Sequence, residues 1–203
     1  MFNYQQLIAE GNIKSIPELH RFFFEEIAYD WMKAYEEMSP KHGVITLQNF
    51  WSFTFIIDDG NQLRDTDRDN DTREILDGRT VAAFGISNVN INHTNRKTMR
   101  SWLGKTSKVF AHFGPNYDKG HFIAHGFGGP IDVNLFPQRR DINRGWYEEG
   151  KPYRQMERYV AANPGTFVFS RPIYNDLSQC PEKIEFGYCT TDLKFTVKQF
   201  PNR

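Results

Sequence analysis

The sequence predicts an α+β protein: an N-terminal helical segment, then strands of a mixed or antiparallel sheet, with a strand–loop–strand–helix unit in the C-terminal half. Three observations predict it. Residues 15–38 carry one amphipathic helical stripe. Several β-branched and aromatic runs follow, each bounded by turn residues. The segment YDKGHFIAHGFGGPIDVNLFPQRRDINRGW, residues 117–146, passes from short strand-like pieces through Gly-rich turns into a helical start.

Taken in order, Ser15 and Glu18 fit a capping box, and Pro17 falls in the first turn, where its missing N–H is tolerated. Leu19, Phe23, Ile27 and Trp31 recur every four residues and form one apolar stripe, which reads as core. Ser39-Pro40 ends this helix. GVITLQNFWSFTFIIDDGN reads as a strand or two ending in a turn. In the stretch that follows, Asp65, Asp67, Asp69 and Asp71 alternate as in a calcium loop. An EF-hand needs Gly at its sixth position and Glu at its twelfth, and counting from Asp65 these are Asn70 and Leu76. A solvated hairpin loop is the expectation. GRTVAAFGISNVNI reads as another strand, residues 92–104 as polar, basic loop with some helix, and SKVFAHFG as a short strand. GWYEEGKPYRQMERYVAAN is helical in character, with Gly150 and Pro152 expected to break or restart it. Asn163-Pro164-Gly165 is a strong stop, and TFVFSRPIY and LKFTVKQF alternate as strands.

A chain of 203 residues with 39% hydrophobic content has enough apolar side chain for a substantial core, which excludes disorder and suggests one domain with room for an additional lobe. The net charge of zero hides a division. Residues 1–77 hold 7 Lys+Arg against 15 Asp+Glu, a balance of −8, and residues 78–203 hold 18 against 10, a balance of +8. The expected organisation is therefore an acidic N-terminal segment, 1–77, packed on or part of the same domain as a basic unit, 78–203. From Gly78 to Tyr117 there is no acid against Arg79, Arg96, Lys97, Arg100, Lys105 and Lys108, which points to an anionic partner. The acidic part is expected to regulate, deliver or bind a partner. No apolar run is long enough to span a membrane, and the first residues show no secretory leader. The expected location is the cytosol, or outside the cell by another export route. The two cysteines, Cys180 and Cys189, make neither a disulfide framework nor a four-ligand zinc site; two unpaired thiols are expected, with a single hairpin disulfide as the alternative.

The 117–146 segment gathers polar groups that are costly to bury without partners: Asp118, His121, His125, Asn134, Gln138, Asn143 and several arginines. His121 titrates near neutrality and is suited to accept a proton. It falls at the end of the first strand and Asn143 near the start of the helix, so the two are expected to face each other across a small cleft. An Asn carbonyl oxygen suits a hard cation, and magnesium takes oxygen ligands while keeping several waters. Arginines nearby would neutralise phosphate charge.

The ordered elements Asp118-Lys119-Gly120-His121, Asn134-Leu135-Phe136-Pro137-Gln138, Asn143 and YRQME ending at Glu157 resemble the DNA/RNA non-specific endonuclease family, and most closely its bacterial branch. The likeness covers roughly residues 110–175. It implies a ββα-metal core and magnesium-dependent hydrolysis inside DNA and RNA chains with little sequence preference, leaving 5′-phosphate and 3′-hydroxyl ends; manganese or another divalent ion is an alternative cofactor. It implies His121 as general base, Asn143 as the direct metal ligand, Asn134 orienting groups around the phosphate, Glu157 holding a metal-bound water or shaping the metal shell, and Asp118 behind them. Arg144, Arg140 and Arg158 are candidates for phosphate contact. Lys119 stands where the family signature has Arg, which keeps the charge but loses the bidentate fork. Glu148 and Glu149 compete with Glu157, which is preferred for its place in the helix. Two other readings compete: a nucleic-acid-binding module that has lost catalysis, and a zinc protein using His112, His121 and His125 with a Cys. A free non-specific nuclease is toxic to its maker, so a toxin or antiphage defence effector with an inhibitor or immunity protein is expected.

Overall fold

The computed structural model describes residues 2–40, 42–60, 78–88, 114–130, 132–176 and 178–203. The aspartate-rich loop and the strand expected at SKVFAHFG lie outside the described residues, as do His112 and, of the acid-free basic stretch, Arg96, Lys97, Arg100, Lys105 and Lys108.

A six-stranded antiparallel sheet divides the molecule into layers. Its strands are β1 (Ile45–Phe50), β2 (Phe53–Asp58), β3 (Arg79–Ile86), β6 (Phe167–Ile173), β7 (Lys183–Cys189) and β8 (Phe195–Pro201), hydrogen-bonded in that order. Between β3 and β6 in the chain comes a separate two-stranded hairpin of β4 (Tyr117–His121) and β5 (Leu135–Arg139). Helices α1 (Tyr4–Glu10), α2 (Ile16–Phe22) and α3 (Ala28–Met38) precede β1; α4 (Arg140–Arg144) and α5 (Tyr147–Ala162) follow β5.

Period-two alternation along the strands builds a core on each face of the sheet. Ile56, Ala82, Phe84, Phe167 and Phe169 point to the helical side and meet Tyr4, Leu19, Phe23 and Trp31. Phe53, Phe55, Ala83, Val168 and Phe186 point to the other side, under Phe122 and Phe136 of the hairpin and Tyr153, Met156 and Val160 of α5. With both faces covered, the apolar runs of β2 and β3 need no polar alternation. Helix α2 starts as the sequence predicts, with Ser15 accepting from the Glu18 N–H and Glu18 accepting in turn from the Lys14 N–H. Its stripe changes phase in a π-turn at Phe23–Ile27, so that Phe23 and Ile27, then Ala28, Trp31 and Tyr35, all face the sheet.

Helix α5 corrects one expectation: it runs unbroken through Gly150 and Pro152. Pro152 removes a single hydrogen bond, to the carbonyl of Glu148 near the solvated first turn, and the buried face of Tyr153, Met156 and Val160 outweighs that loss. Gly150 is required by close approach, since a Cβ there would sit 2.2 Å from the Asp141 carbonyl oxygen of α4.

Arg79 corrects another. Counted from the sequence among cations awaiting an anion, it is buried, and its guanidinium donates to Tyr35, Ser39 and the carbonyls of Asp176 and Ser178 while lying 4.1 Å over the Tyr174 ring. Tyr35 donates onward to Asp58, which also accepts from the Gly43 and Gly60 N–H groups. Both cysteines are free and buried, and burial pushes their thiols up to about 11 for Cys180 and about 12 for Cys189. Among the described residues no helix is long and apolar enough to cross a membrane.

Candidate active site

The hairpin and α5 enclose a cleft of about 280 Å³ lined by His121, His125, Asn143, Arg154, Glu157 and Arg158, with the backbone turn Ala124–Phe127 as one wall. His121 ends β4, opposite Leu135 of β5, and its Nε2 is shielded from bulk water. Asn143 belongs to α4, which leaves β5 directly. Arg154, Glu157, Arg158 and Ala161 recur at three- and four-residue spacing and share one face of α5.

Two sets of bonds hold this geometry. The first is centred on Asn134, which is 0% exposed. Its Oδ1 accepts from the Ile123 N–H at 2.7 Å, and its Nδ2 donates to the carbonyls of Ile123 and Pro130, each at 2.7 Å. The loop that follows His121 is thereby folded back on the start of β5, with Phe122 stacked on Phe136 at 4.3 Å. Gly129 makes this possible, because a Cβ there would fall 1.9 Å from the Ile123 carbonyl oxygen. The second set is centred on Asp118, which accepts from Arg140 Nε at 3.0 Å and from Arg144 Nε at 2.6 Å. It ties β4 to both ends of α4 and so fixes the helix that carries Asn143. Burial acts to raise the Asp118 carboxyl, but the hydrogen bonds and charges of Arg144 and Arg140 prevail and hold it below its ordinary value.

The sequence-predicted residues therefore divide. His121, Asn143, Glu157 and Arg158 meet at the cleft. Asn134, expected to orient groups around a phosphate, has its carboxamide bonded to loop backbone. Arg140 and Arg144, expected at phosphate, are engaged by Asp118. Lys119 lies on β4 opposite Pro137 and is not among the residues that line the cleft. Glu148 and Glu149 pair with Lys151 and Arg139 outside it.

Arg154 was missed. It donates to Glu157 at 2.7 Å, and its signal was available as the residue one helical turn before that glutamate. Burial pushes the Glu157 carboxyl up, against the opposing hydrogen bond and charge of Arg154. Arg158 makes no ion pair among the described residues, and nothing there hydrogen-bonds the Asn143 carboxamide. A hard divalent ion fits this donor set: one carboxamide oxygen, one carboxylate and room for water. Among the described residues no group of three or more His, Cys, Asp or Glu could hold a metal by itself. The cysteines that a zinc centre would need line no part of the cleft; Cys180 is bonded instead to the Pro137 carbonyl.

A hairpin leading into paired helices, with histidine, carboxamide and carboxylate lining one cleft among guanidinium groups, could take a divalent ion and an anionic ester together. The family model for DNA/RNA non-specific endonucleases matches residues 76–191, and the chain belongs to that family. The protein is a hydrolase of nucleic acid from a metal-dependent family. Among solved structures it is similar to the Sda1 nuclease with bound zinc ion, at 16% identity and TM-score 0.37 over 80% of this chain and 75% of that one. It is also similar to an extracellular endonuclease, at 14% identity and TM-score 0.33 over 76% and 68%. A search of the curated proteins gave no match.

Proposed function

We propose that the chain is a magnesium-dependent endonuclease that hydrolyses phosphodiester bonds within DNA and RNA, with His121 as general base. The observation that supports this is the cleft shared by His121, Asn143, Glu157, Arg154 and Arg158. The imidazole of His121 takes a proton from the attacking water and, at the end of a hairpin strand, is held to one approach direction. Asn143 and Glu157 would hold the divalent ion and its waters, with manganese able to substitute. The ion supplies charge stabilisation to the phosphate and the leaving oxygen. Arg158, and Arg154 where it is not engaged with Glu157, neutralise charge that builds on the phosphate. Asn134 and Asp118 act through these groups by fixing the loop and the helix that carry them. Most of the affinity comes from phosphate contacts, so activity falls steeply with salt.

The test is plasmid, single-stranded DNA and RNA cleavage with magnesium and then with a chelator. Wild type cuts only before chelation, and His121→Ala loses at least about 100-fold, the ordinary contribution of general base catalysis. Undiminished cutting by that variant refutes the mechanism. A nuclease of little sequence preference harms the cell that holds it, which supports a toxin or defence effector restrained by an inhibitor. Expression of wild type then slows growth where His121→Ala does not, and equal growth refutes it.

A further inference from the structure

The junction of α4 and α5 carries two aromatic side chains that the cleft does not use. Trp146 is 43% exposed and Tyr147, the next residue, is 71% exposed. Single exposed aromatics are common on protein surfaces and need no explanation. This pair differs in three respects. Tyr147 has φ of +55°, a conformation in which a bulky non-glycine residue is an outlier, and its ring stands in solvent. The Arg144 guanidinium lies over one face of the Trp146 ring, 5.1 Å from its centroid, and is itself fixed by Asp118, so the ring is anchored from that face and any base must stack on the other. The pair also follows the cleft residues closely in the chain, although neither ring lines the cleft itself. Trp146 follows Asn143 by three residues, and Gly145 between them lies against Arg154, where an added Cβ would meet the Arg154 Cβ at 2.7 Å.

We propose that Trp146 and Tyr147 form a stacking platform for an unpaired nucleobase beside the scissile phosphate, so that single-stranded or locally opened nucleic acid is the preferred substrate. This rests on the endonuclease reading of the neighbouring cleft. Flat aromatic faces beside a guanidinium bind bases of any identity, which suits an enzyme with little sequence preference. They cannot reach base faces that remain stacked within a duplex. The site therefore selects strandedness without selecting sequence.

Two measurements separate this from the parent reading. The first uses the His121→Ala protein with a short single strand carrying 2-aminopurine at each position in turn. Fluorescence at one position falls on binding, and the loss disappears in the His121→Ala, Trp146→Ala, Tyr147→Asn protein; Asn tolerates the positive φ. The second compares cleavage by the otherwise wild-type enzyme carrying Trp146→Ala and Tyr147→Asn. KM on single strands rises by about 5- to 100-fold, while KM on duplex changes by less than about 2-fold. Trp146→Phe restores most of the single-strand affinity. Equal effects on both substrates, or none on either, overturn the platform while leaving the nuclease intact. Position-specific quenching that depends on the pair, in a chain that cuts nothing, overturns the nuclease reading and supports the platform.

Discussion

Replacing Asn134 separates two roles for one side chain. If its amide only holds the loop, Asn134→Ala must cost stability; if it works on the phosphate, the same change must spare stability and cost turnover. The deletion removes three hydrogen bonds of 2.7 Å from a fully buried position. At about 1 kcal/mol net each, with a further ~1 kcal/mol or more for leaving the Ile123 N–H unpaired, the loss is roughly 3–5 kcal/mol. That is a large part of the ~5–15 kcal/mol that holds an ordinary domain together. Asn134→Asp should do no better. It keeps the acceptor for the Ile123 N–H but sets a carboxylate oxygen against the carbonyls of Ile123 and Pro130. Urea unfolding followed by tryptophan fluorescence measures the loss directly. A midpoint shift worth less than about 1 kcal/mol, with activity gone, would refute the clamp and return Asn134 to the phosphate.

Three further outcomes follow from the same geometry. Because burial raises the Glu157 pKa, the folded state keeps a proton that the unfolded state releases as pH rises past 4.5, so wild-type stability falls through the window from 4.5 to the raised value. Glu157→Gln should abolish that fall and unfold at a higher temperature than wild type at pH 7 while losing activity; superimposable profiles of Tm against pH would count against it. Asp118 is the reverse case. Its depressed pKa makes its ion pairs fully stabilising above 3.8 and progressively lost as pH drops through the lower folded value. Asp118→Asn should cost about 1–2 kcal/mol, given the partly exposed arginines. It should also raise the magnesium concentration for half-maximal activity, because the helix bearing Asn143 loses its tie to β4, and an unchanged magnesium titration would contradict that. Arg158→Ala should raise KM and flatten the salt dependence by about one counterion, read from the slope of log KM against log salt.

What the sequence revealed and what it hid divide by the distance over which the signal acts. The helix at 15–38 was legible because a four-residue stripe and a capping box are local patterns. The hairpin and the cleft pair His121 and Asn143 were legible because motif order placed one at a strand end and the other in the next helix. The fate of Asn134 was hidden because its partners are backbone groups of a loop whose path no residue type announces. The pairing of Arg140 and Arg144 with Asp118 was hidden because Asp118 lies more than twenty residues earlier. Arg79 misled for the same reason: its acceptors come from the far end of the first helical layer and from the turn after β6. Charge counting sees a cation, whereas only the fold tells whether that cation is already paired.

The pairing of β2 with β3 bears on how much of the chain the nuclease needs. Acidic residues 1–77 invite the view of a detachable lobe, and the family match begins only at residue 76. Yet β2 hydrogen-bonds along β3 from Phe53–Gly85 to Asp58–Arg79. Its Phe53 and Phe55 are completely buried in the core beneath the hairpin and α5. The helices cover the opposite face, with Phe23 and Trp31 on Phe84, Phe167 and Phe169. Cutting at Gly78 would remove Phe53, Phe55, Phe23 and Trp31 together, at about 1.5–3 kcal/mol for each large apolar side chain. It would also uncover the β3 edge and a row of buried phenylalanines. The deficit reaches about 6–12 kcal/mol before lost strand hydrogen bonds are counted, comparable with the whole stability of an ordinary domain. A chain of residues 78–203 should therefore be insoluble, or lack cooperative thermal unfolding by circular dichroism. A soluble, cooperatively folding and active truncation would show instead that the helical layer is dispensable packing, and would reopen a regulatory role for its acidic surface.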